Sequence, residues 1–354
     1  MSVISEVAGH WANGALRTLN AFRNGYGAPE NDPPAVTPYT VIYEGGKVSL
    51  RYYAARGKVR HHTPMLLVYA LIKRPFILDL QRGRSVIESL TNQGFDVYFI
   101  DWIPPDASDT WHGFEAYVNG DVANAVRAVQ IHSGIERINL LGYCFGGLLS
   151  LMYTALHQRN IKNLVTMTIP LDMSVRDLPI MNFVDVMDPA MTETITKIYG
   201  NCPAWMMNSW FTAMNPTHHL LDKYVGAYRN SSRENYAETF ELFEKWMQSD
   251  VPLAGQIFRE LGSELSRDNK LFRNLMTIGD QLVDLKNVEC PLLNMIADFD
   301  DVVAPNASKG LPELVGSADK RNLHFPTGHI GAAVSAPALK KLWPAIGSWL
   351  AERD

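Results

Sequence analysis

Cys144 sits in Gly142-Tyr143-Cys144-Phe145-Gly146-Gly147, after the apolar residues 138–141 and before a helix-forming run over 148–153. Strand, sharp turn and helix in that order make a nucleophile elbow. The strained turn lifts a reactive side chain above a sheet, and the glycines remove Cβ atoms that would clash there. Sulfur stands where serine is usual. The free N–H groups and positive end of the following helix favour a thiolate and later an oxyanion. A buried structural cysteine in a glycine-rich turn would leave the same string, so the motif gains meaning only with partners.

A cysteine nucleophile needs a base, and behind an elbow of this kind the acid and then the histidine follow in chain order. His329 lies in Thr327-Gly328-His329-Ile330-Gly331, just past an apolar strand ending at Phe325, so its position and backbone freedom suit a base. His61, His62, His218 and His219 read as surface or cap residues. Asp298, Asp300 and Asp301 share the loop after the apolar run 291–297, and strand C-terminal ends are where such sheets place chemistry. Asp301 precedes Val302-Val303-Ala304-Pro305, a run expected to anchor it while Asp298 and Asp300 face water. Asp301 is therefore favoured as the acid, with Asp298 second. The backbone N–H of Phe145 is one expected oxyanion donor; the other is expected from Leu71 or Ile72 in the loop over 70–73.

The elements that must position these residues are legible as an alternation of strand-like and helix-like runs up to about residue 170. Such alternation implies a mostly parallel sheet covered by helices on both faces. Apolar runs at 65–69, 97–100, 138–141 and 164–169 are its expected strands, and residues 114–132 its clearest amphipathic helix. From 171 to 280 the chain is rich in Met, Trp and Phe with few strand signals, and reads as an inserted helical cap. Strand signals resume at 291–297 and 322–325, and a helix over 337–351 closes the pattern. The expected layout is thus an N-terminal segment over 1–40, an α/β-hydrolase core over 41–170 and 281–354, and a cap over 171–280. That cap is expected to exclude water, although its Met and Trp residues could equally form a second core.

The chain of 354 residues is 47% hydrophobic and 19% charged, with a net charge of −5. This balance excludes a basic nucleic-acid footprint. No stretch approaches the roughly 20 apolar residues of a membrane span, and the first residues have no signal-peptide core, so a cytoplasmic protein is expected. Three scattered cysteines, Cys144, Cys202 and Cys290, make neither a disulfide framework nor a zinc site, and no metal is expected.

In series, several phrases carry a family resemblance: residues 68–75, Ile77-Leu78-Asp79-Leu80-Gln81, residues 94–102, residues 138–144, residues 163–167, Glu244-Lys245-Trp246 and Gly328-His329-Ile330-Gly331. With them the chain resembles the polyhydroxyalkanoate synthases, acyltransferases that polymerise 3-hydroxyacyl-coenzyme A. The family's cysteine box falls on Cys144, its D-x-x-x-P aspartate on Asp301 through Pro305, and its G-H-I histidine on His329. Val302 stands where the family usually has histidine, and Asn306 where it often has an aromatic residue. The resemblance implies thioester catalysis on Cys144 without a resident cofactor, coenzyme A being part of the substrate. Asp301 would orient His329, activate the 3-hydroxyl, or both.

The resemblance is to the short, two-subunit synthases, class III before class IV. It implies a second subunit, a homodimer or higher oligomer, and work at the surface of cytoplasmic polyester granules on short substrates such as 3-hydroxybutyryl-CoA. Lys73, Arg74, Arg82 and Arg84 read first as a solvated face and second as contacts for coenzyme A phosphates. The rival enzyme is a thiol-dependent α/β hydrolase of an ester, a lactone or the polyester. The rival outside catalysis is an inactive granule-surface protein.

Overall fold

Continuous apolar runs need a sheet that is covered on both faces, and four of them supply its middle. In a computed structural model the described residues are 32, 33, 35–58, 60–178, 188–214 and 236–354, with backbone alone at 211–214 and 236–237. The expected segment up to residue 31, and His218 and His219, lie outside the described residues. The main sheet contains β1 (Thr40–Gly45), β2 (Val48–Tyr53), β3 (Met65–Val68), β6 (Val97–Trp102), β7 (Ile138–Tyr143), β8 (Ile161–Met167), β11 (Leu292–Ala297) and β12 (Lys320–Phe325). Two minor hairpins, β4 (Asp79–Gln81) with β5 (Arg84–Ser85) and β9 (Thr277–Ile278) with β10 (Gln281–Leu282), stand apart from it.

Strand order is β1-β2-β6-β3-β7-β8-β11-β12, parallel from β6 to β12 and antiparallel at β1-β2 and β2-β6. All residues of β3, β6, β7 and β11 are buried, whereas β1 and β12 are partly exposed edges. Lys320 and Arg321 on the outer strand discourage pairing with another sheet. The β1-β2 hairpin carries no continuous apolar run, although Gly45-Gly46 signals its turn. Gly46 has φ 59, a left-handed value that glycine adopts without penalty.

A buried polar seam fixes the register of the parallel half. Asn163 Nδ2 donates to Asn139 Oδ1 at 2.7 Å, and Thr166 Oγ1 donates to Asn294 Oδ1 at 2.9 Å. Asn294 Nδ2 donates to both Asn322 Oδ1 and Ser308 O at 2.8 Å. A one-residue slip would leave these groups unpaired in the core.

The expected helix over 114–132 is a helical stretch over 114–133 that contains a π-helical turn, Ala116–Val122, and ends at left-handed Gly134. The strand expected at 164–169 instead runs Ile161–Met167, stopping where Thr168 turns to φ 48. Between β8 and β11 the described residues form helices Pro189–Tyr199, Ala204–Met214, Tyr236–Met247 and Gly255–Glu260, the last continuing as a π-helical turn, Leu261–Arg267. Neighbouring strands β8 and β11 are therefore far apart in sequence, and the sheet closes around that insertion.

Candidate active site

The elbow is built by close packing. Strand β7 ends at Tyr143, and Cys144 takes φ 55 and ψ −122, a conformation costing an L-residue about 1–3 kcal/mol. Its N–H donates to Met167 O at 2.8 Å, and its carbonyl accepts from Gly147 N–H at 2.9 Å, so both sides of the turn are fixed. A Cβ on Gly146 would lie 2.2 Å from Val68 O, and one on Gly142 would lie 2.4 Å from Gly147 Cα. Only glycine lets the helix Phe145–Leu156 approach β3 and β7 this closely. Phe145 opens that helix, so its N–H has no intrahelical acceptor.

Opposite the elbow, His329 Nδ1 pairs with Asp300 Oδ2 at 2.8 Å, with both residues buried. This corrects the expectation of Asp301. Asp300 N–H donates to Ala297 O at 3.2 Å, a tight turn that folds the carboxylate inward. Its Oδ1 then accepts from Val302 N–H and Val303 N–H, both at 2.8 Å. The apolar run does anchor an aspartate, but through backbone donors two and three residues on, which selects Asp300. Asp301 is exposed, and Asp298 is also exposed and pairs with His324 at 2.8 Å. The D-x-x-x-P register is therefore one residue away from the carboxylate that meets the histidine.

Burial disfavours a charged His329, but the hydrogen-bonded Asp300 carboxylate and then Cys144 act the other way and hold its pKa well above 6.5. Asp300 and Cys144 thus both act on the His329 imidazole. Tyr143 braces it: its O–H donates to His329 O, and its ring meets the imidazole edge-on at 5.7 Å and 90°. Burial pushes the Tyr143 phenol well above 10, so it remains a donor. Sequence reasoning passes over Tyr143 as an apolar elbow residue, though its place beside the nucleophile is the available signal.

The loop after β3 passes the elbow at the same level, since Val68 pairs with Gly142 and the carbonyls of Val68 and Tyr69 face Gly146. Leu71 and Ile72 follow, and their N–H groups have no hydrogen-bond partner among the described residues. The next two residues are not a solvated basic face. Lys73 Nζ donates to Asp250 Oδ1 and Met247 O, both at 2.7 Å. Arg74 is buried and donates to Asp32 Oδ2 and Trp102 O, both at 2.8 Å, and pairs with Asp101. Arg84 donates to Val334 O at 3.3 Å, while Arg82 is exposed.

Cys202 and Cys290 are buried, and burial pushes both thiols up to about 12, far from a nucleophile's range. Among the described residues no group of three or more His, Cys, Asp or Glu could hold a metal ion, and no helix is long and apolar enough to cross a membrane.

Residues 63–334 match the alpha/beta hydrolase fold family. Among solved structures, a monoacylglycerol lipase from Paleococcus ferrophilus superposes with TM-score 0.56 at 15% identity, over 87% of this chain and 100% of the lipase. An enol-lactonase from Burkholderia xenovorans gives TM-score 0.50 at 14% identity, over 89% and 99%. Both show the fold alone. The poly(3-hydroxyalkanoate) polymerase subunit PhaC of Allochromatium vinosum is 37% identical over 320 residues, 90% of this chain and 89% of that protein. The subunit of the same name from Synechocystis is 35% identical over 350 residues, 95% and 90%. That of Haloferax mediterranei is 36% identical over 318 residues, and this chain spans 64% of its length. With its elbow, its histidine and its eight-stranded sheet, the chain belongs to the poly(3-hydroxyalkanoate) polymerases, acyltransferases built on the α/β-hydrolase fold.

Proposed function

We propose that this chain moves the acyl group of an (R)-3-hydroxyacyl-coenzyme A, 3-hydroxybutyryl-CoA first, onto Cys144 and from there onto a growing polyester. The observation that carries this reading is the buried pair of His329 with Asp300, on which Cys144 acts from a strained elbow. His329 takes the thiol proton, and the thiolate attacks the thioester carbonyl. The oxyanion is held by Phe145 N–H and by that of Leu71 or Ile72. Collapse expels the coenzyme A thiolate, which recovers the proton from His329. One thioester has replaced another, so the acyl group keeps its activation. A 3-hydroxyl then gives its proton to His329 and attacks, forming an ester and freeing Cys144. Asp300 serves both halves by orienting the imidazole and stabilising its charge.

Residues 171–280 act as a cap that keeps water from the acyl-enzyme. Support comes from the buried Met207, Trp246, Leu253 and Phe258 of that stretch. Relatives are named as subunits, which supports a second protein component; we read it as the class III type and place the work at the surface of a polyester granule in the cytoplasm. Coenzyme A release from 3-hydroxybutyryl-CoA, with and without that component, tests the reading. Polymer is the expected product; free 3-hydroxybutyrate alone would make the chain a thiol hydrolase instead. Cys144→Ala should abolish release, while Cys202→Ala and Cys290→Ala should retain it.

A further inference from the structure

The loop that carries the expected second oxyanion donor is fastened to one short stretch of the insertion. Ile72 O accepts from Val251 N–H at 3.1 Å, Arg74 N–H donates to Ser249 O at 3.2 Å, and Lys73 bridges antiparallel to Asp250. Trp246 Nε1 donates to Arg74 O at 2.9 Å. The Lys73 ammonium lies 5.5 Å from the centre of the Trp246 ring. Its ion pair with Asp250 crosses this seam, and the carboxylate side chain has 0% exposure.

Stability does not explain such a pair. Taking two charges out of water is costly, and well-packed apolar side chains of the same volume commonly hold two segments as firmly or better. The second carboxylate oxygen, Asp250 Oδ2, has no hydrogen-bond partner among the described residues, so the desolvation is incompletely repaid. What the pair does supply is a single register. Apolar side chains can slide past one another, whereas an ammonium seated between one carboxylate and the Met247 carbonyl fixes where residues 71–74 stop.

We infer that Lys73 and Asp250 are positioning residues for acyl transfer: their buried ion pair sets the backbone N–H groups of Leu71 and Ile72 against the oxyanion that forms over Cys144. This rests on the acyl-transfer reading above. Acylation thereby depends on the insertion being docked, although neither charged group touches substrate.

The test compares Lys73→Met and the isosteric Asp250→Asn with the unsubstituted chain in two reactions of Cys144. The first is acylation, read as the coenzyme A burst from 3-hydroxybutyryl-CoA and the nitrophenolate burst from p-nitrophenyl butyrate. The second is alkylation by iodoacetamide, which needs the thiolate and no oxyanion donor. Both variants should acylate about 10- to 100-fold more slowly, somewhat less than outright loss of a donor, and alkylate at the unsubstituted rate. Unchanged acylation, or alkylation slowed in step with it, overturns the inference. Should Lys73→Met fail to fold, Asp250→Asn carries the comparison. An unsubstituted chain that accepts the ester but not the coenzyme A substrate refutes the polymerase reading alone; one that accepts neither refutes both.

Discussion

At the scale of single residues the site turns on which carboxylate meets His329. Position in the chain singles out Cys144 and His329 as candidates, because a glycine-flanked cysteine after one strand and a glycine-flanked histidine after the last are local features. The acid is not legible in the same way: Asp298, Asp300 and Asp301 differ only in which way a turn aims them, and that is decided by backbone donors at Val302 and Val303. The two candidates give opposite expectations. Asp300→Asn removes the largest influence raising His329 and leaves only Cys144 to oppose burial, so its pKa should fall, whereas Asp301→Asn should leave the titration unmoved. Imidazole proton signals followed by NMR against pH would read both. Linkage gives the same sign. Because the folded value exceeds 6.5, the stabilisation from charged His329 is fully present below 6.5 and fades as pH rises through the folded value. Asp300→Asn should flatten that stretch of the stability profile.

At the scale of elements, apolar runs locate β3, β6, β7 and β11 because a buried parallel strand has no polar face to hide it. The edge hairpin β1-β2 escapes sequence reading for the converse reason, since every side chain of β1 and half of those of β2 are partly or wholly exposed. The glycines separate packing from propensity. Gly146 faces backbone at 2.2 Å, so Gly146→Ala should destabilise the fold by about 2–3 kcal/mol through overpacking. Gly120, within the helical turn Ala116–Val122, has nothing within 4 Å of the place a Cβ would occupy, and Gly120→Ala should stabilise by about 0.4–1 kcal/mol. Thermal melts of the two variants check the pair.

At the scale of the whole molecule, the insertion separates β8 from β11, and the polar seam rejoins them. Asn294 is where this junction concentrates, since it binds Thr166 on β8, Asn322 on β12 and the Ser308 carbonyl. Asn294→Ala should lower stability by about 2–3 kcal/mol by leaving buried groups unpaired, seen as a lower urea midpoint. The split core is legible as a change of rhythm near residue 170; the ties across it are not, because they join residues distant in sequence. Loop-closure entropy makes the β8-β11 pairing late, whereas β3, β6, β7 and β8 lie within one continuous stretch. The elbow is therefore expected in the part of the sheet that folds first, and Asp300 and His329 in the part that folds last. A chain folded only that far would hold its thiol without a base, idle until the sheet is complete.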